Sequence, residues 1–170
     1  MPKTHLVRRI QCDSQALFDL VADVENYPKF INLISALRIT KKLSKTEFEA
    51  EAVVAYKMLS ETFRSHITID PDLLKIAVTK AEKGGAVKSL VNRWSFHPLE
   101  DGSSLVDVEV DVKLKAKPLE FLLRDKFDRA STNIINAFET RARQKLPKVG
   151  EDDYDYAAEL ASLGLKGAVV

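Results

Sequence analysis

The chain has 170 residues, 45% of them hydrophobic and 30% charged, with 26 Lys and Arg against 25 Asp and Glu for a net charge of +1. That length suits one domain able to bury a sizeable core, and the composition excludes a disordered chain. Cys12 is the lone cysteine, which excludes an internal disulfide and points to a reducing compartment. No stretch reaches the roughly 18 consecutive apolar residues of a membrane-spanning helix. The opening Met-Pro-Lys-Thr-His-Leu has neither a signal peptide's apolar run nor a transit peptide's Arg- and Ser-rich character, so a cytoplasmic protein is expected. Charge is unevenly spread: residues 150–170 hold five acids against Lys166, a net of −4, which leaves the rest at +5. A basic body suits an anionic membrane surface or RNA, and it also suits plain solubility.

In chain order, a first strand is expected over Thr4–Gln11, and then a helix to Asp23 capped by Asp13 or Ser14. Ala16, Leu17, Leu20 and Val21 give that helix an apolar face. A second short helical segment is expected over Tyr27–Leu33, with Pro28 in its first turn. Strands follow over Leu37–Leu43, Thr46–Met58, Thr62–Ile69, Leu74–Glu82, Val87–His97 and Ser104–Lys115. Their punctuation is Ser44-Lys45, Asp70-Pro71-Asp72, Gly84-Gly85, Pro98 and Asp101-Gly102. Pro118 ends the last strand, and apolar residues then recur at helical spacing from Leu119 to Leu146. Strands joined by short turns favour an antiparallel meander, because parallel pairing requires crossovers. The expected fold is therefore α+β: a curved antiparallel sheet around one long C-terminal helix, with two short helices after the first strand. Residues 1–147 form this domain, and 148–170 are an acidic C-terminal appendage with a short helix over Tyr154–Leu163.

Period-two alternation assigns each strand an inner face. Phe48, Ala50, Ala52, Val54, Tyr56 and Met58 form one row, opposite Glu47, Glu49, Glu51 and Lys57. Phe63, Ser65, Ile67 and Ile69 form the next, then Leu74, Ile76 and Val78, then Leu90, Asn92, Trp94 and Phe96. Ala50, Ala52 and Ser65 are small where a filled core carries larger groups, and Tyr56 and Asn92 are polar on apolar rows. Two readings stand side by side. Either the rows line a cavity, or the small residues let the helix come close and neighbours satisfy the polar groups.

Chemistry-bearing motifs are missing from the sequence. His5, His66 and His97 are scattered, Cys12 has no soft partner nearby, and His66 and His97 fall on outer faces where a solvated histidine is expected. Gly84-Gly85 links two strands and reads as a turn, not a phosphate loop. Asp23 and Glu25 read as helix-end charges. Arg38, Lys41, Lys42 and Lys45 make a basic strand and turn without the interleaved aromatics of a single-strand nucleic-acid platform. A binding protein without catalytic or metal-ligating residues is expected.

The stretch Asp23-Val24-Glu25-Asn26-Tyr27-Pro28-Lys29-Phe30, the strand Asn92-Arg93-Trp94-Ser95-Phe96-His97-Pro98 and the long C-terminal helix resemble the coenzyme Q-binding proteins. These belong to the START-like, polyketide cyclase-like superfamily with the helix-grip fold, and the resemblance covers roughly residues 3–146. It implies a hydrophobic tunnel between sheet and helix holding ubiquinone or a related isoprenoid lipid. It implies a quinone chaperone supporting respiration, with ubiquinone as bound ligand and no cofactor required. Bacterial relatives include a proposed toxin that binds the large ribosomal subunit and blocks subunit association. A cyclase- or aromatase-like enzyme using the same pocket is a further alternative. Many members follow Tyr-Pro-x-Phe with Pro-Trp-Cys; here the region reads Ile31-Asn32-Leu33-Ile34, so no role of that Trp or Cys carries over.

With a tunnel, the expected ligand-binding residues are Val54, Tyr56, Ile67, Ile76, Asn92, Trp94, Phe127, Ile134 and Phe138. Tyr56 or Asn92 would donate to a quinone carbonyl. Tyr27, Phe30, Leu33, Leu119 and Leu122, with Ile34, Phe121 and Leu123, would form an apolar mouth or membrane contact; core packing between the short and long helices is the competing account. Expected partners are a quinone or other lipid, peripherally the inner membrane, and in the alternative the ribosome, but not DNA.

Overall fold

The computed structural model describes residues 3–56, 59–81, 87–115 and 117–170, with only the backbone of Tyr56, Leu59 and residues 117–125. Chain order is β1 (Lys3–Ile10), α1 (Ser14–Ala22), a 3₁₀ turn (Val24–Lys29), β2 (Ile34–Lys42), β3 (Glu47–Tyr56), β4 (Leu59–Asp70), β5 (Lys75–Lys80), β6 (Val87–Pro98), β7 (Ser104–Leu114), α2 (Lys117–Lys145), α3 (Ala157–Leu163) and β8 (Ala168–Val169). The eight strands form one sheet in the order β2-β3-β4-β5-β6-β7-β1-β8. Every pairing is antiparallel except β1 with β8. This is the expected α+β sheet wrapped around a long C-terminal helix.

Local chemistry explains where elements begin and stop. Asp13 is extended and its carboxylate accepts the Ala16 N–H at 3.0 Å, so α1 starts at Ser14 and buries Leu17, Phe18 and Val21. The next segment lies earlier than Tyr27–Leu33 and is a 3₁₀ turn, not an α-helix. Pro28 has no N–H to close an α-type bond, and the Tyr27 carbonyl ends the turn by accepting Phe30 N at 3.1 Å and Ile31 N at 2.9 Å. β2 begins at Ile34, three residues before the alternation becomes legible, because a bulge between Ile34 and Ala36 breaks the period. Between β4 and β5 the Asp70 carboxylate accepts the amides of Asp72 at 3.1 Å and Leu73 at 3.0 Å, and Leu74 takes a left-handed φ of 53°. The Gly84-Gly85 turn and Met58 lie outside the described residues.

The main core lies between the sheet's inner face, α1 and the C-terminal half of α2. It contains Leu6, Ile10, Phe18, Phe48, Ile67, Ile76, Trp94, Phe96, Val106, Ile135 and Phe138. A second cluster sits on the outer face, where Val7, Leu99 and Leu105 are covered by Tyr154, Tyr156, Leu160 and Leu165 of the C-terminal segment. The sequence shows no element at 168–169, yet Leu6 pairs with Ala168 and Val7 with Val169 in a short parallel strand. Arg8 joins this strand to α2: its Nε donates to the Val170 carbonyl at 3.1 Å, and its Nη1 donates to Asn136 and, at 3.2 Å, to Glu139.

The start of the C-terminal segment is fixed at Asp101. One carboxylate oxygen accepts Arg9 Nη2 at 2.6 Å and the Glu151 amide at 2.9 Å; the other accepts the Ser103 amide at 3.1 Å and its hydroxyl at 2.5 Å. Burial pushes this carboxyl up, but the bonds from Ser103, Glu151 and Arg9 outweigh it and hold the pKa at about 2. Gly150, at φ 84°, is required here, since a Cβ would sit 2.5 Å from Asp101 Oδ2.

Candidate functional site

The site is built where the inner rows of β3–β7 face α2. Toward the C-terminal half of α2 the space is filled. Phe138 packs edge-to-face against Trp94 at 5.0 Å, Tyr27 at 5.1 Å and Phe30 at 5.2 Å, and Trp94 stacks on Phe96 at 6.1 Å. Ile67 and Ile76 join the same cluster, and Ile134 packs against it. Four of the expected ligand residues, Ile67, Ile76, Trp94 and Phe138, are thus brought together as packed core wall.

Asn92 is occupied within the protein. Its side-chain oxygen accepts the Trp94 indole N–H at 2.8 Å, and its amide donates to the Glu109 carbonyl at 3.1 Å. Tyr56 lies in β3, with its side chain outside the described residues. Val54 is half-buried on the Ala50–Ala52 row of that strand.

Farther along the rows the arrangement changes. Ala52 (5% exposed) and Phe127 (9%) are buried, yet among the described residues neither joins a hydrophobic cluster. Among those residues α2 meets the sheet mainly at β1 and β7, with α1 beside it, rather than at β3 and β4, where Ala50, Ala52 and Ser65 lie. Ala50 belongs to the main core, while Ala52 and Ser65 are buried outside it, away from the part of the sheet that the helix backbone mainly meets.

The expected mouth residues fall into two groups. Tyr27, Phe30, Leu33 and Ile34 pack against the main core. Tyr27 donates its hydroxyl to the Val21 carbonyl, and burial pushes its pKa well above the usual phenol range. Each of the four is half-buried, with part of its surface still exposed. The side chains of Leu119, Phe121, Leu122 and Leu123 lie outside the described residues. A separate groove of about 370 Å³ runs between α1, the 3₁₀ turn and the end of α2, lined by Leu20, Phe30 and Leu146 and by the charged Asp19, Asp23, Arg141 and Lys145. Arg141 lies 5.4 Å over the Phe30 ring and ties this end of α2 to the turn.

Titratable groups have structural partners. His66 pairs with Glu47 at 2.8 Å and His5 with Asp107 at 2.6 Å. Glu25 accepts the Ile39 amide at 3.1 Å, so it caps a strand edge, a role helix-end reasoning missed. His97 does lie on the outer face, but it is half-buried there and not freely solvated. It sits across from Leu105, beside the patch the C-terminal segment covers, and its Nε2 is sealed without a hydrogen-bond partner among the described residues. Burial lowers its pKa. Cys12 is buried, and burial raises its thiol pKa. Among the described residues no three His, Cys, Asp or Glu side chains gather to hold a metal ion, and no helix is long and apolar enough to cross a membrane.

Comparison with known proteins agrees with this architecture. Residues 10–139 match the family of polyketide cyclases/dehydrases and lipid-transport proteins. The ribosome association toxin RatA of Rickettsia prowazekii is 32% identical over 130 residues, 75% of this chain and 87% of the toxin. The mitochondrial coenzyme Q-binding protein coq10 of Schizosaccharomyces pombe is 28% identical over 131 residues, 76% of this chain and 79% of that protein. The crystal structure of the Zhui aromatase/cyclase from Streptomyces superposes with a TM-score of 0.75 over 84% of this chain and 94% of its own; at 17% identity the likeness is one of fold alone. Sheet topology, the long gripping helix and the match over most of its length together show that this chain belongs to the START-like polyketide cyclase/dehydrase and lipid transport family.

Proposed function

We propose that the chain binds ubiquinone or a related isoprenoid lipid between the sheet and α2, as a non-enzymatic quinone chaperone that supports respiration. The observation that carries this reading is the band of Ala50, Ala52 and Ser65 opposite a helix whose backbone stays over β1 and β7. Similarity to a coenzyme Q-binding protein supports it. An isoprenoid tail would lie along Val54, Phe127 and Ile134, with Ile67, Ile76, Trp94 and Phe138 as the packed wall behind it. Each methylene so buried contributes about 0.8 kcal/mol. A ring carbonyl would be met by one polar group on these rows, Tyr56 or Asn92, of which Asn92 already gives one amide N–H to Glu109. No cofactor is required for this role. The protein would work in the cytoplasm and meet the inner membrane peripherally to load and unload.

The purified protein, extracted with organic solvent, should yield an isoprenoid quinone by mass spectrometry, and the emptied protein should bind a short-chain ubiquinone on titration. Absence of any lipid from the extract together with no binding on titration would overturn the reading.

A second reading has its own observation. Arg38, Lys41, Lys42 and Lys45 stand exposed along edge strand β2 and its turn, and relatives named as ribosome association toxins match most of the chain. A regulator that blocks subunit association would contact RNA through this strip. Cosedimentation with large ribosomal subunits, weakened by salt and by charge removal at those four residues, would favour it. A cyclase-like enzyme would need an acid or base positioned inside, and Tyr56 is the one candidate the rows offer.

A further inference from the structure

Along the inner face the cross-strand rungs are apolar at the packed end: Trp94 pairs with Val108 and Ile76, and Ile67 with Phe48 and Val78. Asn92 beside Val78 is polar but bonded within the protein, and the next rung carries a second polar set. Ala50 pairs with Ser65, and Ser65 with Lys80, so register and alternation put these three residues side by side on the inner face of three neighbouring strands. Ser65 is 6% exposed, and among the described residues its hydroxyl has no hydrogen-bond partner. Among those residues the one sealed and unpaired side-chain nitrogen or oxygen is His97 Nε2, so Ser65 Oγ is not fully sealed and can be reached by a partner from outside the protein. Lys80 is half-buried, and its ammonium donates to the Val87 carbonyl at the start of β6. A polar group buried without a partner is costly and is retained where something meets it. A lysine ammonium offers three donors and no acceptor, while a serine hydroxyl can donate one proton.

We infer that Ser65 and Lys80 form the polar end of the lipid site and select a ligand that carries acceptor oxygens, a carbonyl or a carboxylate, on an apolar tail. The inference rests on the lipid-binding reading above and adds to it the chemistry of the head group. An oxidised quinone, whose ring oxygens only accept, matches two donors better than its quinol, whose hydroxyls also need acceptors.

Titrating the emptied full-length protein with decyl-ubiquinone, decyl-ubiquinol and palmitate tests this. Lys80→Met and Ser65→Ala are each expected to weaken the preferred probe by about tenfold or more, with melting temperature held, and Lys80→Arg to restore most of the affinity. Dependence on the pair with the quinone assigns a quinone head, and dependence with palmitate alone assigns a carboxylate head. Wild-type protein that binds none of the probes would overturn the lipid-binding reading itself. Wild-type binding left unchanged by both Lys80→Met and Ser65→Ala would overturn only the selection by this pair.

Discussion

The indole N–H of Trp94 donates to the side-chain oxygen of Asn92, two residues earlier on β6, at 2.8 Å. With the Asn92 amide donating to the Glu109 carbonyl on β7, one polar residue on an apolar row satisfies a buried indole and ties two strands. Asn92→Leu leaves that N–H unpaired and is expected to cost about 1–3 kcal/mol in urea unfolding. A loss below about 0.5 kcal/mol would show that the indole finds another acceptor or that the bond carries no weight.

Filling the space beside the small-residue band separates binding from folding. Ala52→Phe adds a ring where Ala52 and Phe127 are buried without joining the core. If the space is open, quinone affinity should fall by about tenfold or more while the melting temperature stays or rises. A melting temperature that falls steeply would mean the space is already packed, because overfilling a core costs about 1–3 kcal/mol.

Acid stability should report on Asp101. Its carboxyl is held near 2 against an ordinary 3.8, so the folded state holds the proton less tightly than the unfolded chain. The contribution is full above the ordinary value and is lost as pH falls through it toward 2. Asp101→Asn should remove this part of the acid slope. It should also cost about 3 kcal/mol at neutral pH, since Arg9, whose side chain is 10% exposed, loses its partner. Parallel stability-versus-pH curves for variant and wild type between pH 2 and 4 would refute the assignment.

His97 works in another window. Its folded pKa is depressed below 6.5 by burial, with Asp107 opposing and Lys75 adding to the shift. Stability is therefore full above pH 6.5 and declines as pH falls from there toward the depressed value, because protons bind the unfolded chain first. His97→Leu should flatten that decline. At pH 7 it should leave stability unchanged or raised, since it removes a sealed nitrogen without a partner. Chemical denaturation at pH 5.5 and 7.5 on both proteins measures this directly.

Ending the chain after Gly150 tests the division at residue 147. Residues 151–170 cover Val7, Leu99 and Leu105 and supply β8. Their removal uncovers two or three core-sized side chains and is expected to cost about 3–6 kcal/mol, with increased binding of a hydrophobic dye. Unchanged stability would make the segment a detachable appendage.

How much of this was legible depends on how each element is encoded. β3, β6 and β7 alternate over ten or more residues, so their extents and inner faces follow from period two; Phe48, Ala50 and Ala52 are buried and Glu47, Glu49 and Glu51 are not. Repeated apolar spacing likewise exposed α2, and the Asp13 side chain exposed the start of α1. Elements held by a few contacts at long range left no such pattern. β8 is two residues that exist because the β1 edge accepts them, and the 3₁₀ turn depends on a missing proline N–H. The sealed state of His97 arises beside a patch that residues more than fifty positions later cover.

For the site, the sequence by itself determined which side chains point inward and that a long helix crosses them, since both follow from backbone periodicity. Whether small inward residues mark close packing or free space is a matter of tertiary structure, which the sequence leaves open. That outcome depends on where α2 lies across the sheet. Its position over β1 and β7 is set by Arg8, Phe138 and the aromatic cluster acting together across distant segments, a relation no local spacing encodes.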